Sequence, residues 1–255
     1  KSTYVNELIY FWVFNAPYKV GIVSLELSAG QYASALFSRH VHKKLSLLTP
    51  EQTVEYLESE EARVKGTELF KNEDDSDRFY LIEDRSSKID VMQDLIEELV
   101  IGCGCKVIVL DPIQDLFSGC SLEQQELHMT WQKVMVKTYG ICIININHTR
   151  KAASTKESGS MGNMISEEDI QGTSSIYKSA ACNILLTRNK LAESILDRNT
   201  TTVYLSKNRF SGVTGPAGKI YYDNETHTLH DELSYRSIHP ELFVEESTDL
   251  SEISY

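Results

Sequence analysis

Three continuous apolar runs, "VGIVSLE", "KVIVLD" and "ICIININH", constrain this chain most. Strands with so few polar residues must be covered on both faces, which is the condition of a parallel sheet. Amphipathic segments stand between them. "SAGQYASALFSRHVHKKL" is expected to be a helix starting at a Ser28 cap, "SKIDVMQDLIEELVIG" a second helix, and residues 121–139 a third. Strands alternating with helices in this way predict an α/β fold with a mostly parallel sheet flanked by helices. "RFYLIED" adds a further strand, and residues 51–77 form a charged stretch expected to be helical. "ICIININH" is expected to be a buried strand. Downstream, "CNILLTRN" and "TTTVYLSKNRF" are expected strands joined by a polar turn at Asp197-Arg198-Asn199, and "GKIYYDNETHTLH" a closing C-terminal β-hairpin.

A chain of 255 residues can bury the core of one large domain. The expected boundaries are a folded domain over 1–240 and an acidic tail over 241–255, since "PELFVEESTDLSEISY" contains no Lys or Arg. A net charge of −12 argues against non-specific nucleic-acid binding by the whole surface, but leaves room for a local basic channel. No run has the length of a membrane span. The five cysteines show no C-x-x-C spacing and are expected to be free buried thiols in a reducing cytoplasm.

The residues with chemistry stand in a fixed order. Lys1-Ser2-Thr3 matches the end of a P-loop, G-x-x-x-x-G-K-[ST], whose glycine-rich front is expected upstream. In that reading Lys1 neutralises phosphate charge and the Ser2 hydroxyl sits on Mg2+. Asp111 ends "KVIVLD", where a metal-holding carboxylate belongs. Glu26 ends "VGIVSLE", where a carboxylate can activate water. His148 ends "ICIININH" and is placed to sense nucleotide state, with the basic loop "TRKAASTKESG" directly behind it. Arg150, Lys151 and Lys156 in that loop suit a phosphate backbone. Lys207 and Arg209, two apart on an expected strand, share a face and can reach one anion. In a ring of identical subunits that anion is the triphosphate held by the neighbour.

The pieces "KST", "SLE", "VIVLDPIQDL", "NINHTRK", "DIQGTSSIYKSA", "LLTRNK", "LSKNRFSGVTGPAG" and "YYDNETHTL" span nearly the whole chain. In order and spacing they resemble the helicase domain of DnaB-type replicative helicases, closest to the bacteriophage primase-helicase fusions and Twinkle. The resemblance implies a RecA-like domain in a homo-hexamer around single-stranded DNA. It implies 5′ to 3′ translocation driven by ATP or dTTP with Mg2+, in the host cytoplasm if phage-encoded. It further implies that Lys1, Ser2 and Thr3 belong to Walker A, Glu26 is the catalytic carboxylate, Asp111 is Walker B and His148 the phosphate sensor. Arg209 is then the arginine finger in trans with Lys207 beside it. Arg150, Lys151 and Lys156 form the DNA-binding loop, and Arg188 and Tyr222 sandwich the nucleotide base. By the same resemblance the acidic tail docks on the replicative polymerase. Two other readings stand beside it: another RecA-superfamily ATPase, such as a recombinase or a KaiC-like protein, and a non-catalytic scaffold with the same fold.

Overall fold

The computed structural model describes residues 2–83, 88–149 and 164–243. Helix α1 (Ser2–Asn15) leads into strand β1 (Lys19–Ser24), and helix α2 (Ala29–His40) follows. Two charged helices come next, α3 (Pro50–Glu58) and α4 (Glu60–Phe70), before strand β2 (Phe79–Glu83). Helix α5 (Ile89–Glu97) runs on through a π turn over Glu98–Gly102 into strand β3 (Cys105–Asp111). The short helix α6 (Ile113–Leu116), helix α7 (Leu122–Tyr139) and strand β4 (Cys142–Asn145) complete the first half. These strands form one parallel sheet in the order β2-β1-β3-β4.

The apolar runs are covered on both faces, as expected. Val20 and Ile22 of β1 and Val107 and Val109 of β3 pack against Val5, Ile9 and Val13 of α1 and Leu36 of α2. Alternate residues, Val23, Ile108 and Leu110, pack on Met92 and Ile96 of α5 and Met129 of α7. Each fully buried aliphatic side chain of this kind contributes about 1.5–3 kcal/mol. Gly21 lies where β1 meets α5: a Cβ there would sit 3.0 Å from both Ile108 Cδ1 and Leu99 Cδ1. Strand β4 is the exception to the expected burial. It lies at the sheet edge, its residues are exposed or half-buried, and it ends three residues before His148.

Local signals hold where they are strongest. Ser28 caps α2, accepting from Gln31 N while Gln31 Oε1 accepts from Ser28 N at 3.0 Å. Ser121 caps α7 in the same manner, and Gly140 ends it at φ 60°. The charged stretch at 51–77 is not one helix: Ser59 ends α3 and caps α4, which stops at Phe70.

The second half departs from the expected short hairpin. Helix α8 (Ser175–Ser179) leads to strand β5 (Cys182–Thr187), and the one-turn helix α9 (Ile195–Asn199) occupies the expected polar turn. Strands β6 (Thr200–Asn208), β7 (Gly215–Asp223) and β8 (Thr228–His230) follow. All four pair antiparallel, in the order β5-β6-β7-β8, so the hairpin is the outer half of a second sheet. Helix α10 (Glu232–Ile238) stacks Tyr235 on Tyr221 of β7, ring centroids 5.3 Å apart. Phe243, in the 3-10 turn Pro240–Phe243 at the start of the expected tail, packs on both tyrosines. Residues 244–255 lie outside the described residues. Of the cysteines only Cys105 is fully buried; Cys142 and Cys182 are exposed, against the expectation of buried thiols. Among the described residues no helix is long and apolar enough to cross a membrane.

Candidate active site

Parallel strands deliver their following loops to one edge, and there the expected carboxylates and histidine gather. Ser24 is the register partner of Asp111, and Leu25 N donates to Asp111 O at 2.9 Å. Glu26 therefore stands two residues beyond β1, beside the end of β3. On the other side Ile146 N donates to Leu110 O and Ile113 N to Ile146 O, which carries the chain after β4 across β3. His148 Nε2 comes to 4.0 Å from Glu26 Oε2, with both side chains well exposed. Asp111 is different: it is 5% exposed. The edge thus combines one buried carboxylate with an open carboxylate and an open imidazole.

Tyr32 of α2 lies against this edge. It is 1% exposed, and burial together with the nearby Asp111 charge pushes its phenol pKa far up, so it stays protonated. Its hydroxyl has no hydrogen-bond partner among the described residues. A buried hydroxyl without a partner costs on the order of 1–3 kcal/mol.

Ser2 is the first residue of α1 and Thr3 lies in its first turn; Lys1 lies outside the described residues. Glu7 fixes this helix on two sides: Oε1 accepts from Leu229 N at 2.9 Å and Oε2 from Arg39 Nε at 2.8 Å. The second sheet is thereby tied to α1.

Arg188 and Tyr222 do meet. The guanidinium carbon lies 5.6 Å from the ring centroid, and Arg188 is tethered through Nη2 to Asn199 Oδ1 at 3.3 Å and through Nε to Arg198 O. A base between them needs about 7 Å, two stacking steps of about 3.4 Å. Arg188 must therefore swing away for a base to enter. Lys44 is a second cation at the same ring, 5.4 Å from its centroid, and donates to Asn224 Oδ1.

Strand β6 ends at Asn208, so Lys207 is on the strand and Arg209 is the first residue past it. Both reach one acceptor, as expected of residues sharing a face, but the acceptor is the end of α8. Lys207 Nζ donates to Tyr177 O at 2.8 Å and Lys178 O at 2.9 Å, and Arg209 Nη2 donates to Lys178 O at 3.0 Å. Cations suit the carbonyls that a helix leaves unsatisfied at its C-terminus. Burial, and then the Arg209 charge, lower the Lys207 pKa.

The expected DNA-binding residues Arg150, Lys151 and Lys156 lie outside the described residues. The segment that holds them is bracketed by a bridge between Thr149 and Ile170 and by Gln171 N donating to His148 O at 2.9 Å.

No protein-family model matches the chain. It is similar to the DNA helicase/primase of Enterobacteria phage T3, 27% identical over 234 residues, which is 89% of this chain and 39% of the relative. The chain thus spans well under half of that relative. Among solved structures it is similar to an isolated ATPase domain, with a TM-score of 0.69 at 13% identity over 91% of this chain and 80% of that one. A DnaB-like replicative helicase, solved in a study of its interactions with primase, superposes with a TM-score of 0.67 at 14% identity, over 90% and 55% of the two chains. Fold and sequence likeness agree along the same stretch. The chain is a DnaB-type helicase domain.

In this helicase domain the donor set at the edge fits magnesium. Among the described residues no group of three His, Cys, Asp or Glu side chains converges to hold a metal by itself. Magnesium is held by few protein ligands, one or two carboxylates with phosphate and water oxygens. Asp111 and the Ser2 hydroxyl are hard oxygen donors of that kind, and the partnerless Tyr32 hydroxyl is a group that metal-bound water satisfies.

Sequence reasoning left Gln114 without a role. Its Oε1 accepts from His148 N at 2.9 Å, and its Nε2 donates to Asn147 Oδ1 and Gln171 O, both at 3.1 Å. It stands three residues after Asp111, inside "VIVLDPIQDL", but nothing in a sequence marks a side chain whose partners are 33 to 57 positions away. Tyr32 and Lys44 carried no signal either; both sit in or just after an ordinary amphipathic helix.

Proposed function

We propose that this chain is the NTP-hydrolysing motor of a ring-forming replicative DNA helicase. The domain hydrolyses ATP or dTTP with Mg2+, translocates 5′ to 3′ on single-stranded DNA and unwinds the duplex ahead. The observation that carries this is the convergence of Glu26 and His148, 4.0 Å apart, beside the buried Asp111 at the carboxyl edge of the parallel sheet.

Each residue has a task there. Lys1 and Ser2 hold the β- and γ-phosphates and the metal; the metal withdraws charge from the phosphates when bound. Asp111, kept from water, holds the metal side of the site. Glu26, open to solvent, orients the attacking water and takes its proton. His148 faces Glu26 and reports the γ-phosphate to the basic segment behind it, where Arg150, Lys151 and Lys156 grip DNA. Arg209 completes the neighbour's site and Lys207 holds its base of support. Arg188 and Tyr222 close on the nucleotide base. A homo-hexamer, the replicative polymerase reached through the acidic tail, and a cytoplasmic setting complete the reading. The description of the phage relative as a helicase/primase supports replication as the process.

The test is Glu26→Gln in the full-length protein. Nucleotide affinity should persist while hydrolysis falls about 10²–10⁴-fold, the usual range for a lost general base. Hydrolysis at the parent rate would remove Glu26 from the chemistry.

A further inference from the structure

We propose that Gln114 is a positioning residue that couples His148, at the chain's own nucleotide site, to Lys207 and Arg209, the cations that serve the neighbour's. This rests on the helicase reading above and assigns to it the internal connection between the two sites.

The connection is continuous in hydrogen bonds. Gln114 lies on α6, directly behind Asp111. Its amide can have only one orientation, because the His148 backbone N–H can only donate and the Gln171 carbonyl can only accept. His148 is tied back to the same place, since its carbonyl accepts from Gln171 N at 2.9 Å. His148 and Gln171 are thus joined once directly and once through Gln114. A movement of the His148 backbone displaces Gln171.

From Gln171 the chain turns sharply into α8. Gly172 makes the turn at φ 110°, and a Cβ there would meet Ile176 Cδ1 at 2.8 Å. A residue with a side chain cannot take that conformation cheaply. Thr173 N then donates to Gln125 Oε1 at 3.1 Å and Thr173 Oγ1 to Glu126 Oε1 at 3.2 Å, so the start of α8 pivots on α7. Ile176 is 3% exposed and keeps α8 seated in the core. The far end of this single-turn helix carries the carbonyls of Tyr177 and Lys178, on which Lys207 and Arg209 rest. Arg209 N also donates to Ala181 O at 2.8 Å, which fixes the backbone of the turn.

The resting position of the cations is a balanced one. Two positive groups share the Lys178 carbonyl, and their repulsion and the burial of Lys207 both act against the arrangement. Neutral carbonyls hold them against that, whereas a triphosphate attracts them more strongly. A small tilt of α8 about its α7 anchor changes which of the two wins. Gln114 is the link through which the state of the chain's own site sets that tilt.

Hydrogen exchange followed by mass spectrometry tests the link in the full-length protein, with and without a non-hydrolysable NTP analogue and Mg2+. Gln114→Glu keeps an acceptor for His148 N but loses the donor to Gln171 O. Gln114→Met loses both and serves if the carboxylate facing a carbonyl perturbs the fold. In the parent, the analogue should slow exchange over Ser2–Asn15 and change it at least threefold over residues 207–212. In either variant the first response should remain, with thermal stability unchanged, while the second disappears. A merely structural glutamine would lower stability and leave the 207–212 response in place. That result overturns the proposal, as does a parent that protects Ser2–Asn15 but shows no change over 207–212. A parent with no protection over Ser2–Asn15 overturns the nucleotide reading itself, and this proposal with it.

Discussion

Two residues show how environment decides chemistry here. Arg209 is an exposed guanidinium within reach of a helix end, and nothing in its surroundings ties it to packing. Arg209→Ala in the full-length protein should therefore leave folding and nucleotide affinity unchanged and reduce DNA-stimulated hydrolysis about 10³-fold or more, the range for an arginine acting on a neighbour's phosphoryl group. Steady-state hydrolysis beside a nucleotide-binding titration reads both; normal turnover would exclude the finger. His128 is the opposite case. It is fully buried in α7, its Nε2 meets Gln132 Nε2 at 3.0 Å, and Nδ1 has no partner among the described residues. Burial lowers its pKa to about 4. A base whose folded pKa is lowered binds its proton more readily when unfolded, so its stability contribution is whole above about pH 6.5 and is lost as pH falls toward 4. The loss amounts to about 3 kcal/mol at most, at 1.36 kcal/mol per unit. His128→Leu should flatten the fall in urea midpoint between pH 6.5 and 4.5; an unaltered fall would assign it to other groups.

At the scale of elements, the sequence was most legible where a single physical requirement acts along a short stretch. The apolar runs required a two-sided cover and have it, and Ser28, Ser121 and Gly140 mark helix ends because each supplies a local hydrogen bond or a positive φ. The second sheet was less legible. Strands β5 and β6 read as apolar and could have extended the parallel sheet; what makes them antiparallel is the one-turn helix α9, too short to cross the sheet, between them. Of the site, Glu26, Asp111 and His148 were legible because they follow strands that must end at one edge. Gln114, Gln171 and the resting place of Lys207 on α8 were not, because backbone partners of long side chains leave no periodicity. The basic segment after His148 makes its own prediction. Lys151→Ala with Lys156→Ala should weaken binding to single-stranded DNA and flatten the log-log salt slope by about 1.4, at about 0.7 per lost phosphate contact. A fluorescence-anisotropy salt titration measures it, and an unchanged slope would leave the segment as surface.

On the scale of the molecule, the parallel sheet presents the nucleotide edge, the antiparallel sheet presents the cations at the end of α8, and Glu7 joins the two through α1 and Leu229. A domain arranged this way holds one half of two sites and completes neither alone, which is why a ring of identical copies is its working form. The measurement that bears most directly on this is NTP hydrolysis by the full-length protein, with and without single-stranded DNA, together with its native mass. A ring-sized particle whose hydrolysis rises strongly with DNA is the predicted result. A monomer or dimer whose hydrolysis is absent or indifferent to DNA would contradict it.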